Sequence, residues 1–523
     1  MRQMKTTQIV IASALAYTYL FWQEKLGINL ILFTYGMIAL LFIRKRENFK
    51  GILVISTLIG TLLSGAMVIL WNSDAAVWAH IVSFYVCIGF IHEPDLRAIH
   101  YSLKGVIKNH LSAWWFVKEE HSESHNGFNK GLRRLGYFSK IVLVPMLFLL
   151  LFYIIFLNAN AKFADLSDQF WTIVGDKLHW LFASFSFGML FLFVSGVLLS
   201  CGIIYFSNLS KIRDSEMNRK DTIVRARKKY THAYFAAIAL RNEYRTAVVL
   251  VFLMNVLLMV VNYTDIRFVW LDFQLGNNSS LSQFVHEGTY LLILSILLSQ
   301  GLIIYYFRGN LNFFKSNTLF RFLSNAWMFQ NVILTVSVGV RNWHYIQHFA
   351  LAYKRIGVFV FLCLVVFGLI TMIVKINKRK TGYFLLRTNT WAAYAMMILI
   401  SCFNWDQWII QYNLKGGHKN GFDIDFCSEL SDKTLPIVLA NKATIELEMQ
   451  NKLGMSTYSR KWMDMQEFDK ELEGRARIFM YRYENYSWAS WNWMDLWTYR
   501  ELLKHYSKNS DVFFSPVSSE LLL

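Results

Sequence analysis

Long apolar runs, without a regular alternation of polar residues, dominate this chain. A helix needs about 20 apolar residues to cross a bilayer core about 30 Å thick. Eleven runs fit or approach that length, and nearly all lack proline, so the pattern predicts mostly continuous transmembrane helices. The runs are residues 7–22, 26–43, 51–71, 75–92, 141–160, 178–206, 247–266, 289–307, 328–349, 356–374 and 389–405.

The composition supports the same class. Of 523 residues, 55% are hydrophobic and 17% are charged, whereas ordinary soluble domains have about 25% charged residues. This excludes a soluble globular enzyme, a disordered protein and a secreted disulfide scaffold. The predicted fold class is therefore all-α: a polytopic helical membrane protein with about 11 transmembrane helices. The five cysteines have neither disulfide nor metal-ligand spacing, so we expect no metal and no cofactor.

Lysine and arginine are distributed unequally between the segments that connect the runs. Alternate connecting segments, together with the N-terminus, hold 32 of these residues, and the intervening segments hold 6. Cytoplasmic loops carry the excess of basic residues in membrane proteins. The pattern predicts a cytoplasmic N-terminus and an extracytoplasmic C-terminal tail. Because this bias accounts for the basic residues, we expect no nucleic-acid partner.

The runs and the segments between them predict six regions. The tail has a soluble composition, and its tryptophan-rich stretch SWASWNWMDLWTYRELL favours a small helical domain resting at the membrane interface. The regions are an N-terminal four-helix membrane region (1–92), a cytoplasmic segment (93–140), two transmembrane helices (141–206), a basic cytoplasmic segment (207–246), a membrane region of five helices (247–405) and a C-terminal extramembrane helical domain (406–523).

Ionisable side chains collect near the outer ends of five consecutive predicted spans. A charge at membrane depth costs about 2.5–3.5 kcal/mol or more unless it is paired, which favours contacts between carboxylates and guanidinium groups. We expect Glu287 to pair with Arg341 or Arg355 under the tail domain. One interpretation is a binding pocket or ion path, and the other is that the charges hold helix ends together and contact headgroups. The candidate cluster comprises Asp265, His286, Glu287, Arg341, His344 and Arg355.

A second candidate is the stretch RKDTIVRARKKY, which begins at residue 219 beside a predicted span. Basic residues next to a span attract anionic lipid at about 1 kcal/mol each. The sequence leaves open whether the stretch binds anionic lipid at the cytoplasmic face or is a solvated loop. Its basic residues are Arg219, Lys220, Arg225, Arg227, Lys228 and Lys229.

Several ordered motifs of the second half resemble a known family. They are NYTDIRFVW, FVHEGTYLLILSILLS, RNWHYIQHFALAYKRIG, NWDQWIIQYNL and SWNWMDLWTYR, within residues 245–505. The chain is similar there to the bacterial membrane family called domain of unknown function 4173, which is related to domain of unknown function 4153. Glu287, Gly288, Arg341, Arg355 and Asn413 match residue types of the family pattern. The resemblance implies a multi-pass bacterial inner-membrane protein and brings no activity or substrate.

No catalytic motif is present: the sequence has neither a P-loop nor GxSxG. The first interpretation is therefore a non-enzymatic sensor, scaffold or partner-binding module, which contacts a protein partner through residues 406–523. The alternative is a secondary transporter or channel that uses the outer polar cluster. An integral-membrane transferase acting on a lipid-linked substrate ranks last, because no motif supports it.

Overall fold

The computed structural model contains only helices as regular secondary structure in the part of the chain it describes. That part comprises residues 6–122, 145–146, 148–149, 151–154, 156–182, 187–225, 233–271, 281–415, 424–453 and 465–507. The all-α expectation is thus confirmed for these residues. The helices form two bundles and a smaller C-terminal domain, each with its own apolar core.

The first bundle surrounds helix α4, whose side chains are the most completely buried of any apolar helix. Cys87, Ile88, Phe90 and Ile91 are fully buried in it. Small residues of α3 let α4 approach closely, as is usual for membrane helices. The helices of this bundle are α1 (Thr6–Phe21), α2 (Ile28–Arg44), α3 (Ile52–Leu70), α4 (Asp74–His92), α5 (Ile99–Ser122) and, after a separate helix α6 (Ala161–Phe182), α7 (Phe187–Ile204).

The second bundle follows a short helix α8 (Ser210–Met217) and is built around α11. Its helices are α9 (Ala233–Asp265), α10 (Leu281–Tyr306), α11 (Thr318–Phe349) and α12 (Tyr353–Lys378). Helix α11 packs against each of the other three. A single stretch of π-helix, Ile266–Leu271, extends α9 at its end.

Helix α13 (Gly382–Ser401) belongs to both bundles. Its side chains Tyr394 and Ile398 lie in the first core, whereas Leu385 lies in the second. The helix begins where the Thr381 side chain accepts a hydrogen bond from the Phe384 backbone N–H at 3.3 Å, an N-cap contact. The two bundles are therefore joined by a shared helix as well as by their connecting segments.

The C-terminal domain has six helices around a compact apolar core that includes Ile409, Leu435, Phe468 and Leu502. Arg475 links two distant segments of the domain, since its guanidinium donates to the Asp432 carboxylate at 2.7 Å. The helices are α14 (Trp405–Leu414), α15 (Ile424–Ser428), α16 (Leu435–Ala440), α17 (Lys442–Leu453), α18 (Met465–Asn485) and α19 (Trp493–Ser507).

Six helices in the described part of the chain are long and apolar enough to cross a membrane by themselves. They are Ile52–Leu70, Asp74–His92, Phe187–Ile204, Leu240–Leu271, Thr289–Tyr306 and Tyr353–Lys378. Their length and composition support a helical membrane protein, but the count of about 11 spans is not confirmed. Helices α1 and α2 have only 16 and 17 residues, and α11 and α13 carry many polar side chains that the bundles bury.

The predicted run 178–206 overlaps two of the described helices. Residues up to Phe182 belong to α6, which begins at Ala161, and a new helix, α7, begins at Phe187. Residues 183–186 between them lie outside the described residues, so the continuity of this run stays a prediction. Helix α5, in the predicted cytoplasmic segment, packs against α4 and α7 and buries Val106 and Asn109.

The connecting segments contact one another in two separate sets. One set joins the α1–α2, α3–α4 and α11–α12 loops to the C-terminal domain, through contacts such as that of Lys433 with Trp71. The other joins the α2–α3, α4–α5, α8 and α12–α13 segments, for example where Asn48 donates to the Ile91 carbonyl oxygen. These sets match the two groups of loops that the basic residues separate. We call them the outer and inner loops below.

Candidate functional site: buried polar contacts of the membrane region

The predicted polar cluster contains a buried ion pair between α9 and α11. An Arg341 guanidinium nitrogen lies 2.5 Å from a carboxylate oxygen of Asp265, and the two side chains are only 9% and 8% exposed. The other carboxylate oxygen of Asp265 is buried without a hydrogen-bond partner among the described residues. Charges that cannot reach water are stabilised by direct pairing, and this pair satisfies that requirement at the outer end of two long helices.

Of the other members of the predicted cluster, the structure describes the side chains of His344 and Arg355. The His344 ring is hydrogen-bonded to the Val269 carbonyl oxygen at 3.1 Å, one turn beyond Asp265. His286 and Glu287 lie in α10, but their side chains are outside the described residues, so the expected pairing of Glu287 with Arg341 or Arg355 stays a prediction.

Arg355 holds the turn between α11 and α12. Its guanidinium donates to the carbonyl oxygens of Phe349, at 2.6 Å, and Ala350. Ala350 has a φ of 66°, a left-handed conformation that is costly for a residue other than glycine. The guanidinium also lies 4.5 Å from the centre of the Tyr345 ring. The described contacts of Arg355 therefore stabilise a strained turn.

Amide side chains extend the α9–α11 contact toward the inner face. Asn255 donates to the Leu323 carbonyl oxygen at 3.0 Å and accepts from Gln330 at 2.8 Å. About two helical turns along α9 from Asn255, Asn262 donates to the Gln330 carbonyl oxygen at 3.1 Å. Such interhelical hydrogen bonds hold membrane helices together where hydrophobic burial gives little preference.

The first bundle contains a polar cluster that sequence reasoning missed. Fully buried His80 is hydrogen-bonded to Thr34 at 2.8 Å and to the Thr61 carbonyl oxygen at 3.2 Å. The Thr61 hydroxyl contacts Ser83 at 3.1 Å, and Ser83 shares a 2.5 Å hydrogen bond with the Tyr394 hydroxyl. The cluster joins α2, α3, α4 and α13. The available signal was a histidine inside an apolar run beside a run with threonine and serine at helical spacing.

An acidic residue at the inner loops has the same kind of buried environment. Glu216 is fully buried and accepts hydrogen bonds from the Tyr383 hydroxyl at 2.5 Å and the Arg97 backbone N–H at 3.0 Å. Asp221 pairs with Arg387 at 2.7 Å, and its carbonyl oxygen accepts from the Thr381 backbone N–H. We call residues 207–225 the inner strap, because this segment contacts both the α4–α5 loop and the α12–α13 turn.

The predicted basic segment begins within this strap. Arg219, Lys220 and Arg225 are exposed, while Arg227, Lys228 and Lys229 lie outside the described residues. The backbone here is anchored, since the Ile223 N–H donates to the Arg379 carbonyl oxygen at 2.9 Å. The described basic side chains are thus presented to solvent or headgroups by a fixed backbone.

The C-terminal domain binds the outer loops through charged side chains. The buried Lys433 ammonium donates to the carbonyl oxygens of Trp71, at 2.8 Å, and Asn72. Burial lowers the pKa of Lys433, although the Asp495 carboxylate opposes this effect. Asp495 itself pairs with Lys25 at 2.9 Å. We call these contacts to the α1–α2 and α3–α4 loops the outer clamp.

The same domain also contacts the second bundle. The Leu351 backbone N–H donates to the Asn413 side chain at 2.8 Å, and the Asn413 amide donates back to the Leu351 carbonyl oxygen at 3.0 Å. The Tyr353 hydroxyl donates to Asp406. The outer clamp and these contacts therefore connect both bundles through one domain, as the inner strap does at the opposite face.

The described side chains at these sites make hydrogen bonds and charge pairs. The described residues contain no group of three or more histidine, cysteine or acidic side chains able to hold a metal ion. The acidic side chains of the polar sites lie in three separate places, namely the ion pair of Arg341, the inner strap and the outer clamp. The arrangement can pair charges and hold helices in register.

Comparison with known proteins identifies a family without a known activity. No curated protein and no solved structure matches the chain. One family profile, described as domain of unknown function (DUF4153), matches residues 28–441, more than three quarters of the 523 residues. This match includes the first bundle except α1, although the resemblance noted in the sequence covered only the second half, and the narrower assignment to the related family 4173 is not confirmed. The chain belongs to the family of domain of unknown function 4153.

Proposed function

We propose that this protein is a non-enzymatic sensor or scaffold of the bacterial inner membrane that binds a partner through its C-terminal domain. The N-terminus is placed in the cytoplasm, the inner strap contacts the cytoplasmic leaflet, and the C-terminal domain lies outside the cytoplasm. The basic residues of the inner loops support this orientation, since positive loops stay in the cytoplasm.

The observation that carries the proposal is the connection of both bundles at both faces. The C-terminal domain contacts Trp71 of the first bundle and Leu351 near the second. The inner strap contacts Arg97 of the first bundle and Thr381 at the α12–α13 turn. Alternating access requires one bundle to rock against the other around a central site. Connections at both ends oppose such rocking, which favours a rigid body that presents a domain to a partner.

Distance measurements between spin labels test this rigidity without a known ligand. Trp78→Cys with Lys354→Cys reports the outer separation of the bundles, and Lys50→Cys with Lys315→Cys reports the inner separation. All four positions are exposed, and the five native cysteines are replaced by serine or alanine in the background. We expect one narrow distance distribution for each pair in nanodiscs.

The alternative, a secondary transporter or channel that uses the Asp265–Arg341 pair, gives a different result in the same experiment. A transporter populates outward-open and inward-open states, so each pair shows two distances and the two pairs change in opposite directions. That result would overturn the scaffold proposal. The buried carboxylate oxygen of Asp265 that has no described partner is the observation that favours this alternative.

A photo-crosslinking amino acid tests the partner. Trp488 and Trp493 of the C-terminal domain are 57% and 48% exposed, and they lie beside the α1–α2 loop, where the Ile28 N–H donates to the Trp491 carbonyl oxygen. Benzoylphenylalanine at either position should form one discrete protein adduct in living cells. Tyr481, also exposed at 42%, is the matched aromatic control on another part of the domain. Adducts to lipid alone would mean that the tryptophans only rest on the membrane.

A further inference from the structure

A groove of about 400 Å³ runs along the surface of the first bundle between α2 and α3. Its walls are apolar side chains, with Ala39 on α2 and Leu58 and Leu62 on α3. At one end, the Tyr35 hydroxyl donates to the Leu62 carbonyl oxygen at 3.0 Å and so bridges the two helices. The groove lies on the apolar surface of the bundle, and it is concave rather than flat.

Phe42 and Phe49 form the other end of the groove, at the inner loops. Their rings meet edge to face at 5.1 Å between centres. From Tyr35 to Phe42 the helix rises about 10 Å, enough for a substantial part of one acyl chain. The groove therefore begins at the level of the inner loops and ends within the membrane.

Basic residues occupy the α2–α3 turn at the inner end of this groove. The Arg46 guanidinium lies 5.8 Å from the centre of the Phe42 ring, directly beside the opening. Lys45 and Lys50 flank it in the same short 3₁₀ turn region, and all three side chains are exposed. Glu47 is the one acidic residue in this turn, so the net charge stays positive. A cationic rim above an apolar groove complements a molecule with an anionic head and an apolar chain.

We propose that this groove binds one anionic phospholipid of the inner leaflet, with an acyl chain between α2 and α3 and its phosphate on Arg46 and Lys50. The site differs from the basic segment at residues 219–229, because it supplies an apolar cavity as well as charge. Bound lipid would fill the space between two helices that pack elsewhere against α4, and would hold the α2–α3 turn at the membrane surface.

Native mass spectrometry of the purified full chain tests the proposal with two lipids of identical acyl chains. Phosphatidylglycerol should be retained as a single adduct at least ten-fold more than phosphatidylcholine. Arg46→Gln and Lys50→Gln should each weaken phosphatidylglycerol binding about five-fold while leaving phosphatidylcholine unchanged, since each basic group near a membrane contributes one charge contact. Glycerol phosphate should not compete, because it has no acyl chain.

Filling the groove tests its role separately from charge. Ala39→Trp should abolish the single adduct, and the smaller Ala39→Leu should weaken it. Ala16→Trp, at an exposed alanine of α1, is the matched control and should bind as the wild type does. Equal retention of both lipids, or full retention by Ala39→Trp in folded protein, would overturn the proposal. A dimer in place of the lipid adduct would also overturn it, by showing that a second copy occupies the groove.

Discussion

Separating the buried pair of Arg341 and Asp265 should destabilise the protein more than any exposed ion pair does. Arg341→Gln leaves the Asp265 carboxylate buried beside an amide, and Asp265→Asn removes the 2.5 Å contact from the guanidinium. In either variant, the remaining charged side chain loses its described counter-charge, although that side chain is less than a tenth exposed to solvent. The double variant carries two neutral amides that can hydrogen-bond to each other.

The burial of the pair sets the expected magnitude. Removing one partner of a buried ion pair costs about 3–5 kcal/mol, because an uncompensated charge remains in a low-dielectric environment. The double variant should regain most of that loss, which gives a coupling energy of about 2 kcal/mol or more. Arg387 and Asp221 provide a matched control of the same residue types, since their side chains are 22% and 29% exposed. Their coupling should be below about 1 kcal/mol.

Equilibrium unfolding in mixed detergent micelles measures these energies, with the fluorescence of the 18 tryptophans as the signal. Both double-mutant cycles are measured under identical conditions, so differences between micelle preparations cancel. Additive losses at Arg341 and Asp265, or a coupling no larger than that of Arg387 with Asp221, would refute the assignment of this pair as the main charge contact between α9 and α11.

Three further predictions concern other contacts. A Cβ at Gly60 would overlap the Tyr394 hydroxyl, so Gly60→Ala should lower the free energy of unfolding by about 1–3 kcal/mol, and Tyr394→Phe should restore part of it. Tyr383→Phe removes a hydrogen bond to a buried carboxylate, and should speed hydrogen exchange in the strap that carries Glu216. Burial lowers the pKa of Lys433 in the folded protein. Between this lowered pKa and the ordinary pKa of 10.5, the unfolded state binds more protons than the folded state does, so the free energy of unfolding should rise with pH. Lys433→Met should remove this rise.

Each of these predictions has a result that would contradict it. Equal stability of Gly60→Ala with and without Tyr394→Phe would show that the hydroxyl is not the obstacle. Unchanged exchange in the inner strap of Tyr383→Phe, with Arg225→Gln as the exposed control, would show that the strap is held by other contacts. Parallel pH profiles of stability for the wild type and Lys433→Met, both followed by tryptophan fluorescence, would mean that burial does not lower the pKa of Lys433.

The sequence by itself determined where most helices lie. Inside a bilayer every backbone N–H and C=O group must be satisfied within its own segment, so a long apolar run becomes a helix almost independently of its neighbours. The bounds of α3 and α4, for example, follow runs 51–71 and 75–92 within a few residues. The division of loops into two sets also came from the sequence, because it depends only on where basic residues are placed.

The partners of the polar side chains could not be predicted from the sequence in the same way. Arg341 could be identified from its position in an apolar segment, since any charge there needs a partner. Its described partner, Asp265, lies 76 residues away in the chain, whereas the sequence analysis named Glu287 as the expected carboxylate. His80 was missed because an uncharged residue in a run gives no comparable signal.

Only the tertiary structure decided how the helices are combined. It placed α13 in both cores, and it buried Glu216 against Tyr383, 167 residues away. It also set Lys433 on the carbonyl oxygens of the α3–α4 loop and left an open groove between α2 and α3. The physical reason is that lipid and helix surfaces are similarly apolar, so burial alone does not choose neighbours. Close approach at small residues and a few polar contacts between distant segments make that choice, and neither is visible in a hydropathy pattern.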